Sequence, residues 1–367
     1  MQKFRNSVFG IGLAAGMLVS GATFAQKAIA RNIPISENNF VGGKNFGNVL
    51  VENKDSSNYQ KYIKIPIGEG KTVIVSEKNY SRAGTKNILI ENRDSSNLQE
   101  CIVEYDSLIM NLAGRLKGAK NLNELKNAIS IIIHETPMLW EGNPSGIIAR
   151  MLNGEGANCQ NLAFVWFDAA CEAGVSKDSM KLVSVRGHKA LKIGNEYLDR
   201  IKGGALFLSK DEFEQYYGKI FWETNNADTL CSSGYENLGY VLLQQADQKM
   251  FERILATTEL KQALIFFQKA EELAPTLPGL KKTMANIDYT QQKYGKAENE
   301  FLEAIACDET DGETHNDYAN LLYRQERYTE AFKEYDKAVR LGFACKEERN
   351  NAYRRSVEQM AKNKFPE

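Results

Sequence analysis

The sequence predicts a multidomain α+β protein with three parts: a small N-terminal antiparallel β module, an α+β core and a C-terminal all-α repeat region. Three observations support this prediction. Runs of β-branched residues between turn residues recur in the first part, and the apolar period changes from that of strands to that of helices near residue 106. In the last third, small residues recur every 34 positions. The predicted boundaries are 26–105, 106–225 and 226–367.

Residues 1–25 have the composition of a signal peptide. Lys3 and Arg5 precede the apolar run 8–19, and small residues lead up to Ala25. The run is too short to span a bilayer comfortably. We therefore expect cleavage after Ala25, a periplasmic or secreted protein, and no integral membrane segment after signal cleavage. The alternative is an uncleaved N-terminal anchor.

The composition is that of an ordinary globular protein. Of the 367 residues 43% are hydrophobic and 25% are charged, and the formal net charge is −1. There is no basic excess that would indicate a nucleic-acid partner. The six cysteines are widely scattered, unlike a dense disulfide scaffold, and no spacing of cysteine and histidine matches a zinc site. No metal or cofactor is predicted.

The β module contains an internal duplication. Residues 48–58 recur as 87–97, an offset of 39 positions, and each copy reads as a strand followed by a turn of Asp, Ser and Asn. Further strands are predicted at 59–65, 71–76 and 98–105. The repeated aspartates are interpreted as turn formers, in preference to cation ligands. The module either positions the rest of the protein or binds a partner.

The core contains a candidate nucleophile at the start of an apolar helix. Two helices are predicted at 106–116 and 123–134, and a third follows the glycine-rich segment 154–158. Cys159 lies in the first turn of that third helix. A thiol there is close to the positive end of the helix dipole and to unpaired backbone N–H groups, which favour a thiolate.

A nucleophilic cysteine needs a base, and His188 is the candidate among three histidines. His134 lies in an apolar helix and His315 in the repeat region. His188 begins a run of alternating residues that meets a turn at 194–195 and returns through 196–199, a pattern typical of a β-hairpin. Folding the arms together brings Asp199 within about one residue pair of His188, where a carboxylate orients an imidazole.

The C-terminal third shows a helical repeat. Residues in register at the 34-residue period are Ala263, Ala297 and Ala331; Phe267, Phe301 and Tyr335; and Ala270, Ala304 and Ala338. This pattern matches the stacked helix pairs of tetratricopeptide (TPR) repeats. Two repeats are clear, a third is degenerate, and 351–362 is predicted to be a closing cap helix. Such solenoids present a concave surface to a peptide or protein ligand.

Three short motifs in order resemble the transglutaminase-like superfamily of papain-type Cys-His-Asp enzymes: Gly156-x-x-Cys159-Gln160-x-x-Ala163, Arg186-Gly187-His188 and Tyr197-Leu198-Asp199. A bacterial branch of this superfamily joins the core to C-terminal TPR repeats, and its pattern is similar to Asp199-x-x-Lys202-Gly203-Gly204-Ala205-Leu206-x-Leu208-Ser209-x-x-Glu212. The resemblance covers roughly residues 106–365. It implies a papain/transglutaminase-like α+β core followed by an all-α TPR solenoid.

The resemblance implies roles for five residues. Cys159 is the nucleophile, His188 the base and Asp199 the residue that orients the ring. The substrate-binding candidates are Gln160, which follows the cysteine, and Trp140, for which an ordinary core position is the alternative. The sequence departs from stronger members at two places, since a lysine follows the histidine and an arginine follows the aspartate.

Two functions remain open. In the first, the chain is an exported cysteine enzyme that hydrolyses or transamidates a protein or peptide substrate, and the repeats bind a protein. In the second, the core has lost turnover and serves as a scaffold for protein–protein interaction, with Cys159 a core thiol and His188 a polar residue at a strand end.

Overall fold

The computed structural model describes residues 49–52, 61–67, 71–91, 97–135, 148, 151–152, 157–201, 204–226, 229, 232–251, 257–274 and 278–364. The predicted signal peptide therefore lies outside the described residues. Within these ranges the chain is mostly helical and contains two antiparallel sheets. None of the described helices is both long enough and apolar enough to cross a bilayer.

The first sheet is a three-stranded meander. Strands β1 (Val49–Glu52), β2 (Lys61–Ile67) and β3 (Lys71–Ser76) pair in sequence order. Alternate residues of β2 and β3 point into the core, which is the period expected for a sheet with one buried face. The buried set is Ile63, Ile65, Val73 and Val75.

The prediction of strands in the second copy of the duplication is wrong. After the short helix α1 (Glu77–Tyr80), the chain forms helix α2 (Ala83–Glu91) and then helix α3 (Leu98–Leu116). The β module predicted for 26–105 is thus part sheet and part helix in the described residues. A short apolar run fits a buried helix as well as a strand, and here the tertiary surroundings select the helix.

Asp168 is the residue that fixes the start of helix α2. Its carboxylate accepts the backbone N–H groups of Ala83 at 3.1 Å and Gly84 at 2.9 Å, and the Tyr105 hydroxyl at 2.9 Å. Asp168 lies on the cysteine helix and is 3% exposed. A carboxylate at a helix N-terminus stabilises the helix, so a contact from a distant part of the chain decides this secondary structure.

The core packs helices against a second sheet. Helices α3, α4 (Leu122–Glu135) and α5 (Cys159–Glu172) share one apolar cluster with the sheet, and Trp166 and Val165 at its centre are fully buried. The strands of this antiparallel sheet are β4 (Met180–Val185), β5 (His188–Ile193), β6 (Glu196–Ile201), β7 (Gly204–Leu208) and β8 (Trp222–Thr224), and helix α6 (Lys210–Tyr217) lies between β7 and β8 in the chain. Their order in the sheet is β7-β6-β5-β4-β8.

The prediction of C-terminal helical repeats is confirmed. The helices are α7 (Ser232–Phe251), α8 (Thr257–Leu273), α9 (Pro278–Thr290), α10 (Tyr294–Cys307), α11 (Gly312–Arg324), α12 (Tyr328–Arg340) and α13 (Lys346–Lys364). The alanines at 263, 297 and 331 are all 0% exposed, because small residues let paired helices approach closely. Gln292 and Glu326, 34 residues apart, both have φ of 62°, so the turn within each pair repeats as well. These helices form a TPR-like solenoid.

Candidate active site

Cys159 is the first residue of helix α5, and a reciprocal capping box fixes that end of the helix. Asn158 Oδ1 accepts the backbone N–H of Asn161 at 3.0 Å, and Asn161 Oδ1 accepts the backbone N–H of Asn158 at 3.2 Å. The thiol therefore lies at the positive end of the helix dipole, which stabilises a thiolate. The glycines at 154 and 156 lie outside the described residues.

His188 and Asp199 lie on neighbouring strands. His188 is the first residue of β5, and β5 pairs with β6 through Leu191 and Leu198. Continuing this register puts Asp199 on the same face as His188, one diagonal step away. His188 Nε2 lies 3.3 Å from Asp199 Oδ1, which is within ion-pair distance. The two atoms do not meet the geometric criteria for a hydrogen bond. The aspartate is 3% exposed, so this contact is shielded from water.

Tyr217 is a residue of the site that the sequence reasoning missed. Its ring stacks on the imidazole of His188, with centroids 4.2 Å apart and planes 8° apart. Its hydroxyl donates to Asp199 Oδ2. One side chain thus fixes both the plane of the base and the carboxylate beside it. The capping box of Ser209 and Glu212 predicts helix α6, but no local signal marks which aromatic residue of that helix faces the site.

The electrostatics favour a charged pair of Cys159 and His188. Burial raises the pKa of the Cys159 thiol, but the hydrogen bond and charge of His188, with the backbone N–H and charge of Lys189, outweigh burial and bring that pKa below its usual value. Burial lowers the pKa of His188, but contacts with Asp199 and Cys159 raise it to about 9. Since Nε2 faces Asp199, Nδ1 is the nitrogen available to the sulfur.

Other cysteines in the described ranges lack these partners. Cys101, Cys159, Cys171, Cys307 and Cys345 are free thiols, and Cys231 lies outside the described residues. Burial raises the pKa of Cys101, of Cys171 to about 12 and of Cys345 to about 11. Such thiols are poor nucleophiles at neutral pH. Cys159 differs because its neighbours stabilise the thiolate.

Gln160 is buried beside the reactive groups, at 6% exposure. Its Oε1 accepts a hydrogen bond from the ammonium of Lys189 at 3.1 Å, and its Nε2 has no hydrogen-bond partner in the described structure. Gln160 and Trp222 both line a cavity of about 10 Å³, room for one water molecule. Trp222 Nε1 is a second buried donor without a partner there. The structure thus places Gln160 beside a small, mostly apolar cavity that two unpaired donors border.

The remaining residues considered in the sequence are Trp140, His134 and His315. Trp140 lies outside the described residues. His134 lies in the last turn of α4. His315 is engaged in the solenoid, where Nδ1 contacts Glu334 Oε2 at 2.7 Å and Nε2 contacts the Glu309 carbonyl at 3.1 Å. Among the residues described, no group of three or more His, Cys, Asp and Glu is placed to hold a metal ion.

Comparison with known proteins gives little information on the family. No family model matches the chain, and no curated protein matches it. Among solved structures, the chain is similar to one described as the first TPR of Spaghetti (RPAP3) bound to HSP90 peptide SRMEEVD. That match has 17% identity and a TM-score of 0.28, and it covers 34% of this chain and 95% of that chain. The transglutaminase-like core stays a prediction.

Proposed function

We propose that this chain is an exported transglutaminase-like cysteine acyl-transfer enzyme with a protein-binding TPR solenoid. One observation carries the proposal. Cys159 starts an apolar helix that packs on β5, the strand of His188, and His188 lowers the pKa of the thiol against burial, while His188 Nε2 lies 3.3 Å from Asp199 Oδ1. Nucleophile, base and orienting carboxylate in that order are the arrangement that nucleophilic catalysis requires. The three sequence motifs support the same interpretation.

The chemistry of the proposal follows from these contacts. Cys159 Sγ attacks the carbonyl carbon of an amide or thioester and forms a thioester bond to the acyl group. His188 gives its proton to the leaving amine or thiol. Water or a substrate amine then attacks the acyl-enzyme, its proton passes to His188, and the Cys159 thiolate leaves. The outcome is hydrolysis or transamidation.

The start of helix α5 also supplies groups for the oxyanion. The first N–H groups of a helix have no intrahelical acceptor. The side chain of Asn158 takes the N–H of Asn161, while the helix leaves those of Cys159 and Gln160 free of intrahelical bonds. Backbone donors placed at the carbonyl oxygen stabilise the charge that develops on it.

We propose a protein or peptide as the substrate, and a peptide or protein as the ligand of the concave face of the solenoid. Stacked helix pairs typically present such a surface. Export rests on the signal-peptide composition of residues 1–25, which implies a periplasmic or secreted location. The proposed reaction needs no cofactor or metal ion.

The test is site-resolved alkylation. We expect wild-type Cys159 to react with iodoacetamide at pH 7, as read by peptide mass spectrometry, and Cys159→Ala to fold with that label lost. Cys307→Ala is the matched control, because Cys307 is another partly buried free thiol. A periplasmic extract then serves as a source of acyl donors, and an acyl group trapped on Cys159 identifies the substrate. If Cys159 is labelled no faster than Cys307, the proposed enzyme activity is refuted.

A second candidate is an inactive scaffold with the same fold and the same TPR ligand. It is favoured by the contact of His188 Nε2 with Asp199 Oδ1, which at 3.3 Å does not have the geometry of a hydrogen bond. In that case Cys159 is a packed thiol and His188 a polar residue at a strand end. His188→Ala distinguishes the two, because only the enzyme predicts a many-fold slower alkylation of Cys159 at unchanged stability.

A further inference from the structure

Lys189, directly after the candidate base, is bound to the first helix of the solenoid. An ammonium has three donors, and here each has an acceptor: Gln160 Oε1 at 3.1 Å, Ser233 Oγ at 2.6 Å and Glu236 Oε2 at 2.6 Å. The side chains of Lys189 and Glu236 are only 16% and 12% exposed. The ammonium thus has one position, and two of its three partners lie on helix α7.

The same residue links the candidate base to the helix of the nucleophile. Lys189 directly follows His188 on β5, which packs against helix α5, and its ammonium is bound to Gln160, the residue after Cys159. Against burial, His188 and the backbone and charge of Lys189 lower the pKa of the Cys159 thiol. A movement of Lys189 therefore moves groups that stabilise the thiolate.

Helix α7 is itself seated firmly on the core. A Cβ at Gly234 would lie 2.8 Å from Asn87 Oδ1, so the helix approaches α2 as closely as glycine allows. Asn237 Nδ2 donates to Glu91 Oε1 at 2.7 Å. Gly234 directly follows Ser233, and Asn237 directly follows Glu236, so both contacts lie beside the residues that bind Lys189. They fix where the partners of the ammonium lie.

The turn at residues 186–187, which joins β4 to β5, is also bound to the solenoid. Arg186 Nε donates to Asp308 Oδ2 at 2.9 Å, and its Nη2 donates to Thr310 Oγ1 at 3.0 Å. Both acceptors lie between helices α10 and α11. The turn that carries His188 is therefore attached to two separate parts of the solenoid.

We infer that Lys189 is a positioning residue through which helix α7 of the solenoid holds the turn of His188 against Cys159. This inference rests on the proposed function and deepens it: the position of α7 sets the reactivity of the thiol. The solenoid is then part of the reactive site as well as a docking surface.

A different role for Lys189, as a nearby positive charge only, makes the opposite prediction. Among the described residues, the charged and titratable groups of this cluster include His188 and Lys189 on β5, Asp199 on β6, Tyr217 on α6 and Glu236 on α7. If only charge mattered, removing the carboxylate of Glu236 would leave the cation less neutralised and speed alkylation. If positioning matters, the same change releases the ammonium and slows alkylation.

The experiment measures the alkylation rate of Cys159 in full-length Glu236→Ala as a function of pH, with thermal unfolding of each variant. We expect a rate at pH 7 that is about 2- to 30-fold lower than in the wild type, the range typical of coupling through packed networks. The rise of the alkylation rate with pH should also begin at a higher pH, because the thiolate is less stabilised. Glu330→Ala, on the far helix α12, is the control and should match the wild type. Ser233→Ala, which removes a single acceptor, should give a smaller decrease and serves if Glu236→Ala does not fold.

The outcomes separate this inference from the proposed function. An unchanged or faster rate in folded Glu236→Ala, or in Ser233→Ala in its place, overturns the positioning role. If His188→Ala slows alkylation in that same series, the proposed enzyme stands and only the inference fails. If His188→Ala also has no effect, the proposed function fails with it.

Discussion

Asp199→Asn is the sharpest perturbation of the candidate site, because it removes a charge and keeps the shape. Asp199 faces His188 at 3.3 Å and is 3% exposed. The amide oxygen of asparagine is still able to accept the Tyr217 hydroxyl. The negative charge that stabilises the imidazolium is lost.

The size of the effect follows from the pKa of His188, which is raised from 6.5 to about 9. That difference corresponds to about 3 kcal/mol in favour of the imidazolium. Burial opposes it, and Asp199 and Cys159 supply the favourable contacts. The two contacts together have to supply this difference and overcome burial, so an even division gives Asp199 at least about 1.5 kcal/mol, or at least about tenfold in the population of the charged pair. We therefore expect alkylation of Cys159 at pH 7 to be at least about tenfold slower in Asp199→Asn.

The assay is a pH series of alkylation rates with iodoacetamide. The gap between wild type and variant should close above about pH 10, where an ordinary cysteine thiol is already ionised without help. Asp211→Asn is the matched control, since Asp211 lies on helix α6 and is exposed. Equal rates at pH 7, or a gap of constant size at every pH, refute the assignment of Asp199 as the residue that charges His188.

Three further predictions concern stability. Tyr217→Phe should lower the free energy of unfolding in urea by about 1.5–3 kcal/mol, because a hydrogen bond to a buried carboxylate is lost, whereas Tyr216→Phe should have little effect. Burial raises the pKa of Glu91 to about 8. The folded protein then binds more protons than the unfolded chain between about pH 4.5 and 8. The free energy of unfolding should therefore fall as the pH rises through that window, by up to about 5 kcal/mol. In urea titrations at several pH values, Glu91→Gln should show a weaker dependence on pH. Ala331→Leu should destabilise the solenoid by about 1–3 kcal/mol in calorimetry, and the same change at exposed Ala306 should not.

Local patterns were sufficient for several elements. The capping box at Ser209 and Glu212 predicts the start of helix α6, and both of its hydrogen bonds are present. The turn at Gly194 predicts the hairpin of β5 and β6, and that glycine has φ of 62°. The alanines of the repeat predict the helix pairs. In each case the signal comes from residues a few positions apart, where backbone geometry decides.

The second copy of the duplication shows where local patterns fail. Residues 87–97 repeat the sequence of a strand, yet Ile88 and Leu89 are buried in helix α2. The carboxylate of Asp168, 84 and 85 positions away, caps that helix. A sequence window does not contain such a partner.

The sequence by itself determined the order of the parts, the helical repeats and the three candidate reactive residues, because these depend on periodicity, caps and short motifs. Only the tertiary structure decided which side chains surround the thiol. Nothing in their own sequence neighbourhoods marks Tyr217 or Glu236, and the sequence showed Lys189 only as a departure from a motif. Their roles arise from packing between segments far apart in the chain, where burial strengthens each charge and hydrogen bond.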